Sequence, residues 1–118
     1  MGRVCRFPLW EPAQFGIHKA LTHEEALREH GPGIKRAYTY KALNRLIQGS
    51  AADMTKKAML ELYKEGITPH IQVHDELDIS VENDIKANKI KQIMENAVTL
   101  EVPNKIDYEC GTNWGNIK

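Results

Sequence analysis

At 118 residues the chain has the length of a single folded domain, enough to bury roughly two-thirds of the surface that it exposes when unfolded. Its 16 basic and 16 acidic residues balance, so the net charge gives no sign of a nucleic-acid partner. No apolar run approaches the length of a bilayer span, which excludes a helical membrane protein and predicts a soluble one without a membrane partner. Cys5 and Cys110 lie far apart, with no C-x-x-C motif and no secretory leader, which predicts reduced intracellular thiols.

The charges are unevenly distributed along the chain. Between Lys35 and Gly66 there are seven basic residues and three acidic ones, so this stretch has a local excess of positive charge. A basic helical segment followed by an acidic turn suits a polyanion held near metal ions. It equally suits a solvated helix face, which is the more frequent origin of such a run.

The N-terminal part predicts one strand and one short helix. Residues 2–10 alternate in their first half and then meet prolines, which predicts a strand at a sheet edge, where the missing proline N–H is tolerated. Thr22 and Glu25 have the spacing of a capping box. They predict a helix over 23–30 that ends at Gly31.

The longest predicted helix runs from Lys35 to about Glu65 and is stopped by Gly66. Gly49 and Ser50 interrupt it. Because glycine weakens a helix interior by about 1 kcal/mol, we expect a bend here or two consecutive helices. Residues that recur near helical spacing predict its buried face: Tyr40, Leu43, Ile47, Ala51, Met54, Ala58 and Leu62.

An acidic β-hairpin is predicted over residues 71–81. Apolar and polar residues alternate in its first strand and again from Leu77 onward. Asp75 and Glu76 are therefore predicted at the tip of an otherwise apolar hairpin. Tight hairpin turns favour Asn-Gly or Asp-Gly, so two carboxylates without a glycine suggest chemistry, although acidic residues also occur in turns simply because turns are solvated.

The C-terminal part predicts a helix and a last strand. Asn83 is a suitable N-cap for a helix over about 84–100 that has an apolar face around Ile90. Residues 105–110 alternate, which predicts the final strand. The order strand, helices, hairpin, helix, strand predicts an α+β fold, an antiparallel sheet with a central hairpin packed against long helices.

Two stretches resemble a known family. Residues 44–59 read N-x-x-I-Q-G-S-A-A-D-x-x-K-x-A-M, and residues 72–77 read Q-V-H-D-E-L. In this order and spacing they closely resemble the C-terminal part of the palm of family A DNA polymerases, the DNA polymerase I family. Single-subunit RNA polymerases share the His-Asp core of the hairpin, but Glu76 and the Q-G-S-A-A-D run favour the DNA enzymes. The resemblance implies that residues 1–118 are the C-terminal palm portion of a phage-type enzyme, with 11–33 as a lineage-specific connection.

The resemblance also implies roles for three hairpin residues. Asp75 corresponds to the second of the family's two catalytic metal-binding aspartates, and Glu76 to its supporting acidic neighbour. His74 corresponds to a residue that packs near the primer terminus. The implied cofactor is a pair of Mg²⁺ ions, hard cations that take carboxylate oxygens as ligands.

The implied DNA-binding residues lie in the long helical stretch. Asn44 and Gln48 correspond to polar contacts with the minor groove and the template, where the acceptors are nearly the same for every base pair. Lys41 and Arg45 complete the implied DNA-binding set. The family often has an arginine where this chain has Tyr40. Lys41 beside it can take over a phosphate contact, but it is not a bidentate substitute for arginine.

Two family motifs are missing from this sequence. The first catalytic aspartate lies in a D-Y-S-x-I-E type motif, and the nucleotide-binding helix of the fingers carries K-x-x-x-x-x-x-Y-G. The resemblance therefore implies a chain that is inactive alone and whose partners are primer-template DNA, dNTP and the remaining polymerase fragment. It also implies the cytoplasm of a bacterial host cell, and an uncovered palm face would permit a homo-oligomer.

Two other interpretations stay open. One is a non-catalytic remnant that binds DNA or a polymerase fragment and tolerates Asp75→Asn. The other is a zinc site built from His70, His74, Asp75 and Glu76. Strand spacing separates the two histidines by more than about 13 Å, which is too far for one zinc ion to bridge.

Overall fold

The computed structural model describes residues 1–117, which form three helices and two separate antiparallel two-stranded sheets. The α+β class is therefore confirmed, although the strands form two small sheets instead of one. The chain divides into two compact units, residues 1–50 and the residues from Ala51 onward. The elements are β1 (Trp10–Pro12), α1 (His23–His30), β2 (Ile34–Arg36), α2 (Ala42–Lys64), β3 (Ile71–Val73), β4 (Glu76–Asp78) and α3 (Asp84–Asn96), with 3₁₀ turns at Thr39–Lys41 and Trp114–Asn116.

The first sheet differs from the sequence prediction at both of its strands. β1 pairs with β2 in antiparallel register, with Trp10 opposite Arg36. The prediction of a strand over residues 2–10 is wrong, because residues 2–9 have no regular structure. The prediction that a helix begins at Lys35 is also wrong, because that residue lies in β2. An extended segment becomes a strand only beside a partner, and the partner lies far away in the sequence.

Helix α1 occupies the predicted residues and has the predicted caps. The Thr22 hydroxyl accepts a hydrogen bond from the Glu25 N–H at 3.4 Å. At the other end Gly31 has a φ of +67°, and its N–H donates to the Leu27 carbonyl at 2.9 Å. Both boundaries follow from local capping, so the sequence alone predicted them.

Helix α2 is one continuous helix of 23 residues, so the predicted alternative of two consecutive helices divided at Gly49 and Ser50 is wrong. The Ser50 hydroxyl donates to the Leu46 carbonyl at 2.7 Å and is satisfied within the helix. The cost of one glycine, about 1 kcal/mol, is small beside the packing that stabilises a long helix. Among residues 1–117 no helix, including α2, combines the length of a bilayer span with a sufficiently apolar sequence.

The end of α2 begins the core of the second unit. The N–H of Gly66 donates to the Tyr63 carbonyl at 3.0 Å, and the N–H of Ile67 donates to the Leu62 carbonyl at 2.9 Å. With a φ of +77° at Gly66, this is a Schellman motif, and it brings the buried side chains of Leu62 and Ile67 together. The hairpin and α3 complete the apolar cluster with Leu77, Ile79, Ile90, Ile93 and Met94. The predicted packing of the hairpin against the helices is therefore confirmed.

Only part of the predicted buried face of α2 is buried. Ala58 and Leu62 are buried, as predicted. Leu43 and Ile47, in the first half of the helix, are 68% and 56% exposed. Helical spacing shows which residues share a face, but it does not show whether another element covers that face.

The C-terminal part is less regular than predicted. Helix α3 ends at Asn96 and does not reach residue 100. The Asn96 amide donates to the Gln92 carbonyl at 2.8 Å, and the residues that follow include β-branched side chains of lower helix propensity. The predicted strand over 105–110 is wrong, because these residues have no strand partner. The N–H of Ile106 instead donates to the Glu95 carboxylate at 3.0 Å.

We expect Asn83→Ala to lower the free energy of unfolding by about 1 kcal/mol, because it removes the N-cap of α3. The Asn83 Oδ1 atom accepts a hydrogen bond from the Lys86 N–H at 2.9 Å. Asn88→Ala, at an exposed position inside the same helix, is the matched control. Urea denaturation followed by circular dichroism measures both, and an equal or smaller loss for Asn83→Ala than for the control contradicts the capping role.

Candidate functional site

The hairpin tip is a two-residue turn made by His74 and Asp75. Val73 pairs with Glu76, so Glu76 is the first residue of β4, and its predicted place at the tip is wrong. His74 has a φ of +51°, a left-handed conformation that disfavours residues other than glycine. The Gln72 side chain donates to the His74 carbonyl at 3.0 Å and supports this turn. The turn leaves Asp75 exposed next to the start of β4.

The carboxylates around the tip repel one another. Glu76 and Asp78 lie two residues apart on β4 and therefore share a face. The hydrogen bond to Asp78 and the negative charge of Asp78 raise the pKa of Glu76 above its ordinary value, and the charges of Asp75 and Glu109 add smaller contributions. We call these four side chains, Asp75, Glu76, Asp78 and Glu109, the acidic group.

We expect the stability of the fold to fall as the pH rises through the raised pKa of Glu76. The folded chain holds this proton more tightly than the unfolded chain, whose Glu76 titrates near 4.5, because Asp78, Asp75 and Glu109 disfavour the ionised form. The stability contributed by protonated Glu76 is complete below pH 4.5 and is lost above it.

Thermal unfolding against pH tests this expectation with Glu76→Gln. The variant should gain melting temperature relative to the wild-type chain as the pH rises above 4.5, because it has no carboxylate to ionise. Glu101→Gln, at an exposed position in a bend, is the control and should run parallel to the wild type. Parallel profiles for all three proteins would rule out the repulsion at Glu76.

The carboxylates around the tip do not form a metal site by themselves. Within residues 1–117 no group of three or more His, Cys, Asp or Glu side chains is arranged to hold a metal ion. The structure therefore does not support the zinc interpretation, which needs His70, His74, Asp75 and Glu76 together. Oxygen donors are nevertheless the ligands that a hard divalent cation such as Mg²⁺ prefers, and a cation relieves repulsion between carboxylates. The hairpin fits such a cation as one contributor to a ligand set.

The predicted DNA-binding residues lie in the first unit, on α2 and the 3₁₀ turn before it. Asn44 and Gln48 are exposed and four residues apart, so they share a face of α2. The Lys41 ammonium lies 5.3 Å from the ring centroid of Tyr38 and 5.7 Å from that of Tyr40, which are cation–π distances. Tyr38 has a left-handed φ of +63°.

Arg45 is held by the N-terminal segment. Its guanidinium lies 4.9 Å from the ring centroid of Phe7, and one of its nitrogens lies 4.0 Å from the Cys5 sulfur. These contacts hold the guanidinium of Arg45, the residue that directly follows Asn44 in the sequence. The structure thus groups Lys41, Arg45 and the two amides in one unit, and the three predicted hairpin residues in the other.

Sequence reasoning missed two members of the acidic group. Asp78 follows Glu76 by two residues, so strand alternation carried a signal for it. Glu109 lies far along the chain in a segment without regular structure, and no motif or spacing relates it to the hairpin.

Comparisons with known proteins agree with one another. Residues 16–116 match the family model described as DNA polymerase family A. The chain is 47% identical over 114 residues to the DNA-directed DNA polymerase of Pseudomonas phage M6, an alignment that covers 97% of this chain and 14% of the relative. It is 42% identical over 86 residues to DNA polymerase I of Bacillus caldotenax, covering 65% of this chain and 10% of the relative.

A third relative gives the same picture. DNA polymerase I of Lactococcus lactis subsp. cremoris is 46% identical over 84 residues, covering 62% of this chain and 9% of the relative. The chain therefore spans at most 14% of the length of these three proteins. No solved structure matches the chain.

Proposed function

The chain belongs to DNA polymerase family A, and we propose that it is the C-terminal palm part of a DNA-directed DNA polymerase. In this proposal it contributes one metal-binding aspartate and primer-template contacts to template-directed nucleotidyl transfer. The observation that carries the proposal is the two-residue hairpin turn, which exposes Asp75 beside carboxylates that repel one another. A hairpin anchored by the core of the second unit supports a fixed position for such a ligand.

Asp75 is the proposed Mg²⁺ ligand, with Glu76 as its acidic neighbour and His74 near the primer terminus. The ions supply the charge that stabilises the transferring phosphoryl group. This chain holds the carboxylate at the tip, and the other catalytic aspartate comes from outside it. We propose on this ground that the isolated chain does not polymerise DNA.

Asn44, Gln48, Lys41 and Arg45 are the proposed contacts to primer-template DNA. The two amides are exposed on one helix face and suit the degenerate acceptors of the minor groove. Lys41 precedes the two amides in the sequence and Arg45 lies between them, and both cations suit phosphates. The tyrosine rings around Lys41 support a positioned ammonium in place of the arginine that the family often has at residue 40.

The remaining part of the polymerase is the proposed protein partner. Leu43 and Ile47 on α2 and Val73 on β3 are exposed apolar residues, and such residues suit a protein interface. Since the chain spans at most 14% of its relatives, the companion polymerase segment is the partner that we favour over a second copy of this chain. The dNTP would bind mainly to the companion segment.

The phage relative supports two finer assignments. It matches 97% of this chain, whereas the two bacterial enzymes match 62% and 65%, so part of this chain is matched by the phage enzyme and not by these two; we propose residues 11–33 as the lineage-specific connection. It also supports a phage-type enzyme that replicates DNA in the cytoplasm of a bacterial host.

A chimeric polymerase tests the proposed function. In it, this chain replaces the matching segment of the Pseudomonas phage M6 polymerase. We expect Mg²⁺-dependent primer extension, because 47% identity over 114 residues preserves the fold of the replaced segment. A chimera that folds and binds primer-template DNA but does not extend the primer would contradict the proposal.

A non-catalytic binding remnant is the second candidate function. The exposed amides and the positioned cations of the first unit favour it, because DNA binding alone needs no metal. The two candidates differ at Asp75. If the chain is a binding remnant, Asp75→Asn changes neither DNA binding nor any other assay. If it is part of a polymerase, Asp75→Asn leaves DNA binding intact but lowers primer extension.

A further inference from the structure

The 3₁₀ turn before α2 brings two tyrosine rings together with one lysine. The Lys41 ammonium lies within cation–π distance of both rings, 5.3 Å from the centroid of Tyr38 and 5.7 Å from that of Tyr40. Tyr38 has a left-handed φ of +63°. A bulky residue keeps this conformation only where its surroundings hold it, and such residues cluster at ligand sites. The turn therefore holds two aromatic rings and a cation at the beginning of α2.

The ring of Tyr40 is open to a further contact. Tyr40 is 73% exposed even though Lys41 lies over it. Within residues 1–117 Lys41 takes part in no ion pair. The nearest acidic residues in the sequence are Glu29, in α1, and Asp53, about three helical turns after Lys41. An exposed ring beside such a cation suits single-stranded nucleic acid, whose bases stack on aromatic rings and whose phosphates attract cations.

Tyr40 also continues the row of proposed DNA contacts on α2. Tyr40, Asn44 and Gln48 recur every four residues, and the 3₁₀ turn that carries Tyr40 leads directly into the helix. Asn44 and Gln48 are the proposed contacts to the minor groove of the duplex. At the other end of the row, four residues after Gln48, Ala52 has no ring on which a base could stack. The row therefore ends in a stacking surface only at Tyr40.

We propose that Tyr40 is a further DNA-contacting residue, whose ring stacks on an unpaired template base next to the duplex while Lys41 contacts the adjoining phosphate. The proposal rests on the proposed function, because it takes primer-template DNA as the ligand and the amides of Asn44 and Gln48 as its duplex contacts. Every base has a π face, so this contact is independent of the template sequence. It makes the chain prefer duplexes that carry a single-stranded template overhang.

Fluorescence anisotropy of the full chain with two fluorescein-labelled duplexes tests this proposal. One duplex has a 5′ template overhang, and the other has the same base pairs and blunt ends. Tyr40→Ala should weaken binding to the overhang duplex about fivefold or more, the effect of one lost stacking contact, and leave binding to the blunt duplex unchanged. Tyr40→Phe keeps the ring and should bind both duplexes like the wild-type chain. Tyr63→Ala is the matched control, because Tyr63 is 69% exposed on α2, and it should also bind both like the wild type.

Two further measurements separate the possible failures. Gln48→Ala should weaken binding to both duplexes. If it does so and Tyr40→Ala weakens neither, or weakens both equally, the inference about Tyr40 is wrong and the proposed function stands. A wild-type chain that binds neither duplex would overturn both. Excess dATP should leave the preference for the overhang unchanged. Loss of that preference would assign the Tyr40 ring to the base of a free nucleotide and overturn its assignment to the template.

Discussion

Asp75→Asn should lower primer extension by the chimeric phage polymerase by about 10³-fold. A metal ion bound by this carboxylate contributes several kcal/mol to stabilising the charge that develops on the phosphoryl group, and each 1.36 kcal/mol is worth a factor of about ten in rate. Asparagine keeps the shape of the side chain and loses the charge. Because Asp75 is exposed at the tip, the substitution leaves the fold intact.

Two measurements make this prediction specific. Asp107→Asn, at an exposed position outside the acidic group, is the matched control and should extend primers like the unchanged chimera. Asp75→Asn should bind primer-template DNA as tightly as the unchanged chimera or more tightly, because one negative charge near the DNA is gone. Extension within tenfold of the unchanged chimera would show that Asp75 is not a metal ligand in the reaction.

Leu62→Ala should lower the free energy of unfolding by about 2–5 kcal/mol. Leu62 is 0% exposed and contacts Ile67 and Ile90 in the core of the second unit. The substitution removes buried methyl groups, leaves a cavity and removes the apolar contact of the Schellman motif. A domain of this size has a total stability of only about 5–15 kcal/mol, so the loss is a large part of it.

Leu60→Ala is the matched control for this substitution. Leu60 lies on the same helix, two residues earlier, but is 48% exposed. In urea denaturation, the free energy of unfolding should fall further for Leu62→Ala than for Leu60→Ala. The difference should be about 1 kcal/mol or more, because Leu62 loses buried contacts and Leu60 loses exposed ones. Equal losses would show that Leu62 is not a core residue of the folded chain.

The parts of the fold that could be predicted are those decided by neighbouring residues. Thr22 and Gly31 cap α1, Asn83 caps α3, and Gly66 ends α2, all through hydrogen bonds within a few residues. The alternation around residue 75 likewise predicted a hairpin, and β3 pairs with β4. Capping and alternation are local, so the sequence is enough to locate them.

The parts that could not be predicted depend on distant partners. β1 exists only where β2 pairs with it, and residues 105–110 form no strand because no strand lies beside them. Gly49 does not divide α2 into two helices, and the side chain of Arg3, from the other end of the first unit's sequence, lies next to it. The acidic group could be predicted at Asp75 and Glu76, whereas Glu109 joins it only through the fold.

Primer extension by two separate polypeptides tests the central proposal most directly. One polypeptide is this chain, and the other is the Pseudomonas phage M6 polymerase without its matching segment. With Mg²⁺ and dNTPs, the proposal predicts extension by the mixture and none by either polypeptide alone, with loss of extension in the Asp75→Asn chain. Extension by this chain alone would contradict the claim that the other catalytic aspartate comes from outside it. No extension by the mixture, with DNA binding by this chain intact, would favour a binding remnant.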